Sequence, residues 1–142
     1  LKHVCLLGAY VKRRVNLVLI CEKKETVPAE ELTHCIRESL TYLTQYGVAC
    51  ALHQMGSGSV GSRDAQTAYD FFEDCLEAAL PSLSAMMVRV ECGARFSVRL
   101  MLEDAAGLPD ESAYARQGRL TIDDADGAPC ATLSFDRGGD GG

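Results

Sequence analysis

Tryptophan is missing from the 142 residues, which decides nothing about function, but other absences exclude whole classes. No apolar run approaches the ~20 residues that a membrane-crossing helix needs. Val4 to Val11 and Val15 to Cys21 are apolar, yet Lys12, Arg13 and Arg14 divide them, so no membrane contact is expected of this chain and a cytoplasmic location fits. Positive charge is scarce: 14 Lys and Arg stand against 20 Asp and Glu, a net charge of −6 that offers no electrostatic footprint for nucleic acid. The one basic cluster, Lys12 to Arg14, reads as a solvated helix face. No Cys-x-x-Cys pair occurs among the seven cysteines, which are odd in number and widely spaced within apolar patterns. They read as reduced, buried thiols and not as a disulfide framework or a zinc site. His3, His34 and His53 lie far apart without ligand spacing. The glycine-rich stretch Gly56 to Ser62 lacks the Gly-Lys-Ser/Thr ending of a phosphate-cradling loop and reads as a flexible connector.

What is present is enough for one domain with a proper core, or for one small domain plus an extra element. Hydrophobic residues make up 47% and charged residues 24%, the balance of a folded chain. The pattern opening at Leu1, without an initiator Met, suggests a piece of something longer. Residues 1–25 read as one long helix to about Lys24. Val4, Val11 and Val18 repeat every seven positions, Leu7, Val15 and Cys21 fill between, and Leu6, Leu17 and Leu19 widen the apolar surface. Such a helix wants a partner, and a homodimer is expected. Residues 26–136 form the domain proper, and 137–142 a loose tail.

Within the domain, Pro28, Glu30 and Glu31 open a helix whose apolar stripe is Leu32, Cys35, Ile36, Leu40 and Leu43 and which Gly47 ends. Val48, Cys50 and Leu52 alternate as a strand. Met86, Val88, Val90 and Cys92, then Phe96, Val98, Leu100 and Leu102, predict a hairpin turning at Cys92 to Ala94. Leu120 and Ile122, then Ala131, Leu133 and Phe135, predict a second across Asp123 to Gly127. Asp123, Asp124 and Asp126 look like a calcium loop, but Gly127 comes early and no Glu follows at the twelfth position.

The cleanest segregation lies in Ala65 to Leu80. Ala65, Ala68, Phe72, Cys75, Leu76 and Ala79 recur at helical spacing as a buried stripe, while Asp70, Asp74 and Glu77 share the opposite side with Gln66 and Glu73 at its edge. The order Asp70-Phe-Phe-Glu-Asp74-Cys-Leu-Glu77-Ala78 resembles the N-box helix of the Bergerat-type (GHKL) ATPases. Among these it is most similar to sensor histidine kinases of the peptide-sensing, quorum-type branch, where Asn-Leu-Leu-Asp-Asn-Ala-Ile-Glu-Ala is typical. Gly8-Ala-Tyr-Val-Lys-Arg-Arg-Val-Asn-Leu separately resembles the end of that branch's second dimerisation helix. Glu38-Ser39 and Tyr46-Gly47-Val48 resemble its next helix and exit.

The resemblance implies an α/β two-layer sandwich of the Bergerat kind, with helices on one face of a mixed, mostly antiparallel sheet of about five strands. It implies a signalling role, ATP and Mg²⁺ as cofactors, and a response regulator or other signalling protein as partner. Asp70, Asp74, Glu77, Asp104 and Gly107 fall on the nucleotide-site positions. Asp74 and Asp70 fall where Mg²⁺ would be held, and Glu77 is the single catalytic candidate. The pattern departs from the family at decisive places. Aspartates replace both asparagines and would repel phosphates. Asp104 to Pro109 stands for the Asp-x-Gly-x-Gly box with one glycine and one residue lost. Only the nine residues Asp110 to Gly118 remain before the next strand, too few for a lid and a phosphate-facing helix. His3 is a poor substitute for the phosphoacceptor His of the first dimerisation helix. The expectation is therefore a degenerate, catalytically inactive site without cofactor. The alternatives are an active ATP-binding kinase domain and an unrelated α+β interaction module.

Overall fold

The computed structural model describes residues 14–22, 24–80, 82–125 and 127–135. Residues 14–21 are helical and form α1, the described part of the long helix expected from Leu1. His3, Val4, Leu7, Val11, the part of the dimerisation-helix resemblance from Gly8 to Arg13, and the tail Arg137 to Gly142 lie outside the described residues. The expected seam of α1 splits. Leu17 and Cys21 are buried in the domain core, whereas Val15, Val18 and Leu19 are 52%, 40% and 61% exposed.

Strand β1 (Thr26–Pro28) leads directly into α2 (Ala29–Thr44). Pro28 fixes an extended backbone at the N-cap, and Glu30 and Glu31 meet the positive end of the helix dipole. Leu32, Cys35, Ile36, Leu40 and Leu43 are buried, as the periodicity predicts. After β2 (Ala49–Met55) the chain departs from expectation. Within the supposed flexible connector, Ser59–Gly61 is a strand, β3, paired antiparallel with β1. The reason is one apolar residue on each side: Val27 and Val60 face each other in register and are 1% and 3% exposed. Ser62 closes this small sheet, its N–H donating to Glu25 at 2.8 Å and its Oγ to Lys24 at 2.8 Å. Helix α3 (Ser62–Ala79) accordingly starts one turn earlier than the pattern from Ala65 suggests.

The main sheet holds five strands in the order β2-β4-β5-β7-β6. β4 (Ala85–Cys92), β5 (Phe96–Glu103), β6 (Arg119–Ala125) and β7 (Ala128–Phe135) pair antiparallel, and β2 lies parallel to β4. Every second residue of β4 and β5, from Met86 to Leu102, is buried against the helices. Asp123 belongs to β6 and reaches Arg99 at 3.7 Å across the sheet, which is no calcium-loop geometry. The six cysteines among the described residues are free thiols, all buried except the half-buried Cys50.

Candidate functional site

Helix α3 is covered on more sides than its sequence suggests. The predicted stripe is buried, and so are Tyr69, Phe71 and Glu73. Each large apolar side chain fully buried here contributes roughly 1.5–3 kcal/mol. Tyr69 and Glu73 are covered because α2 packs alongside: Ser39 of α2 donates to Glu73 at 3.3 Å and lies 3.1 Å from the Tyr69 hydroxyl. Burial pushes Glu73 up to about 7, against the lowering effect of hydrogen bonds from Tyr69 and Ser39, while Asp74 and Asp70 add a smaller rise. The same burial, with Glu73 beside it, raises the Tyr69 phenol. Glu73, placed by the helical wheel at the edge of the solvated acidic sector, is therefore a core residue.

The three acids of the outer face diverge in their surroundings. Asp70 is gripped by the guanidinium of Arg14 in α1, with Nε to Oδ1 at 2.7 Å and Nη2 to Oδ2 at 3.2 Å, and Nη1 of the same group reaches Gln66 at 3.1 Å. Such a two-pronged bond is stronger and more directional than a single ionic contact. Arg14, read within its basic cluster as part of a solvated face, is instead only partly exposed and tied to α3. Asp74 accepts a hydrogen bond from the hydroxyl of Tyr114. Glu77 is exposed one turn further on.

Tyr114 comes from Asp110 to Gly118, the short stretch where no lid was expected. It folds as successive turns, with Ala113 N–H on Asp110 at 3.0 Å and Gln117 N–H on Tyr114 at 3.0 Å. Its polar residues stay outside, while the Tyr114 ring is 7% exposed and meets Phe71 edge-on at 5.7 Å and 87°. Burial, then the hydrogen bond to Asp74, raises the phenol's pKa. The segment rejoins the sheet at Gly118, where a Cβ would stand 2.6 Å from the Ser134 carbonyl oxygen. Sequence reasoning missed Arg14 and Tyr114. A lone large aromatic among polar residues was the available signal for the second; nothing local marks the first.

Asp104 sits at the end of β5 with φ 61°, a left-handed conformation. Its carboxylate accepts from Ser84 Oγ at 2.5 Å and its carbonyl from Ser82 Oγ at 2.7 Å. The chain then turns toward the last turn of α3: Ala106 N–H donates to Ala79 at 2.9 Å, and a Cβ on Gly107 would lie 3.4 Å from the Ala78 carbonyl oxygen. The structure thus brings Gly107 to the end of α3 that carries Glu77, and leaves Asp70 and Asp74 engaged by Arg14 and Tyr114. Among the described residues no group of three or more His, Cys, Asp or Glu is arranged to hold a metal ion. Both acids expected to take the cation already have a donor, and their charge opposes a triphosphate.

No protein-family model and no curated protein sequence matches the chain. Solved structures do. The histidine kinase domain of the Erythrobacter litoralis EL346 blue-light activated histidine kinase is similar at a TM-score of 0.57 and 12% identity, over 89% of this chain and 78% of that one. Acinetobacter baumannii histidine kinase AdeS matches at 0.56 and 11%, over 94% and 79%. The mycobacterial sensor histidine kinase MprB matches at 0.51 and 13%, over 78% and 95%. At such identities the likeness establishes the fold. The chain has the α/β sandwich of histidine kinase ATPase domains, the fold expected from the sequence.

Proposed function

We propose that this chain is the ATPase-like region of a sensor histidine kinase of the peptide-sensing branch, with a nucleotide site closed by its own side chains. In this reading it works by dimerisation and protein contact, as a pseudokinase in two-component signalling. The observation that carries the reading is the engagement of both substituted asparagine positions, Asp70 by Arg14 and Asp74 by Tyr114. Phosphoryl transfer depends on positioning and on neutralising charge. Here the cation-binding positions are taken, the added acids repel phosphate, and Asp104 is bound to Ser84.

The exposed Val15, Val18 and Leu19 of α1 support pairing with a second copy, and a response regulator or another signalling protein is the further partner. Among the described residues no helix is long and apolar enough to cross a membrane, in keeping with a cytoplasmic module. The test is titration with Mg-ATP while following the melting temperature. No shift is expected at millimolar nucleotide. Stabilisation by about 2.7 kcal/mol at 100 times a dissociation constant would instead favour an active kinase domain using Asp104, Glu77 and Mg²⁺ on Asp74. Light scattering should give a dimer, and a monomer at high concentration would remove the dimerisation claim.

A further inference from the structure

On the sheet face turned away from the helices, register places side chains in rows across the strands. One row runs Ala51, Met87, Met101 and Cys130 and meets an acid only at Asp123 on β6. Ala49, Ala51 and Ala85 leave a hollow of about 240 Å³ beside Met87 and Met101, with Glu103 on the side away from the next row, and Met87 is 46% exposed. The next row, two residues along each strand, runs His53, Arg89, Arg99, Thr132 and Thr121. It contains no acid, in a chain where acids outnumber bases 20 to 14.

Arg89 and Arg99 stand directly opposite each other across β4 and β5, and like charges so placed weaken a strand pair. Arg99 is partly answered by Asp123 and donates to Thr132 at 3.2 Å. Arg89 has no hydrogen bond or ion pair among the described residues, and the acid nearest along its own strand and face is Glu91, two positions on. A local conflict of this kind, beside an exposed apolar hollow, marks a surface shaped by something other than stability.

We infer that this open face docks an amphipathic helix of another protein, its apolar stripe lying along Ala51, Met87 and Met101 and its acidic flank over Arg89 and Arg99. An apolar trough with one basic bank is complementary to an apolar stripe with one acidic edge. Methionine adapts its shape to whatever side chains arrive. From β2 to β7 the row spans three strand intervals, about 14 Å, which about ten helical residues cover. An anionic bilayer suits the face less well, because a chain of net charge −6 is repelled by it. A second copy suits it less well too, since the acids Asp70 and Asp74 of its α3 are already engaged. The surface lies across the sheet from α3, and its test involves no nucleotide, so it stands or falls apart from the function proposed above.

The probe is a fluorescein-labelled helical peptide of about 18 residues with leucines at i, i+3, i+4 and i+7 and glutamates on one flank. A second peptide carries lysine for glutamate, and phosphatidylserine vesicles form the third arm. The glutamate peptide is expected to bind about tenfold or more tightly than the lysine peptide. Met87→Asp should abolish binding, and the Arg89→Glu, Arg99→Glu double variant should invert the preference. Failure of both peptides to bind, equal binding of the two, an uninverted preference, or binding of vesicles alone overturns the proposal. Arg89→Glu by itself places opposite charges across the strands and should raise the melting temperature of the free protein, which also shows that it folds. A lowered one would remove the conflict on which the inference rests.

Discussion

The Tyr114 hydroxyl donates to the carboxylate of Asp74, and the ring beneath it stands edge-on to Phe71, so one loop residue is bound at both its polar and apolar parts by a single turn of α3. Tyr114→Phe keeps the ring and should cost about 1 kcal/mol, because Asp74 remains reachable by water. Tyr114→Ala empties the seat and should cost about 3 kcal/mol. Urea unfolding of the two variants checks this; equal losses would show that the ring contributes nothing.

Glu73 links stability to pH. Its carboxyl is raised from 4.5 to about 7 in the folded chain, chiefly by burial. Below pH 4.5 it is neutral in both states and its contribution is fully present. As pH rises the unfolded chain loses the proton first, so stability falls until about pH 7 and is then level. At about 1.4 kcal/mol per unit the loss is on the order of 3 kcal/mol. Glu73→Gln should remove this slope and be the more stable protein at pH 8, as read by melting curves across pH.

Arg14 and Asp70 tie α1 to α3. A double-mutant cycle with Arg14→Ala and Asp70→Ala should give a coupling of about 1 kcal/mol, since both side chains are partly exposed, and it should shrink as salt is added. A coupling near zero at low salt would mean that apolar contacts of Leu17 and Cys21 alone hold α1 in place.

Gly56 and Gly93 make a controlled pair. Gly56 has φ +79°, and a Cβ there would lie 2.3 Å from the Cys92 carbonyl oxygen, whereas a Cβ on Gly93 meets nothing within 4 Å. Gly56→Ala should therefore cost roughly 2 kcal/mol or more, and Gly93→Ala less than about 1. Comparable melting temperatures for the two would contradict the close approach.

The periodic elements were legible in the sequence because their signals are local. Ala65 to Ala79 advertises its buried stripe at helical spacing, and Met86 to Leu102 its alternation at two. Tyr69 and Glu73 were not legible as core, since what buries them is α2, brought alongside by tertiary packing. The Arg14 bond to Asp70 spans 56 positions and leaves no trace in either neighbourhood. Val60 gave no strand signal because one apolar residue between glycines has no period to detect; its partner Val27 supplies the reason for the pairing. At the candidate site, the substitutions at positions 70 and 74 and the shortness of Asp110 to Gly118 could be read directly. That Tyr114 seats against Phe71 and Asp74 could not.

The pairing of β2 with β4 also sets an order of assembly. β4 with β5, and β6 with β7, close through short turns and form on the microsecond timescale of hairpins. β2 finds its parallel partner only after the whole of α3 has been threaded between them, at the larger entropic cost of a distant closure. A chain emerging from the ribosome presents β2 before β4 exists, so β2 stays an open edge until the centre of the sheet arrives, while β1 with β3 and α2 with α3 already have their partners.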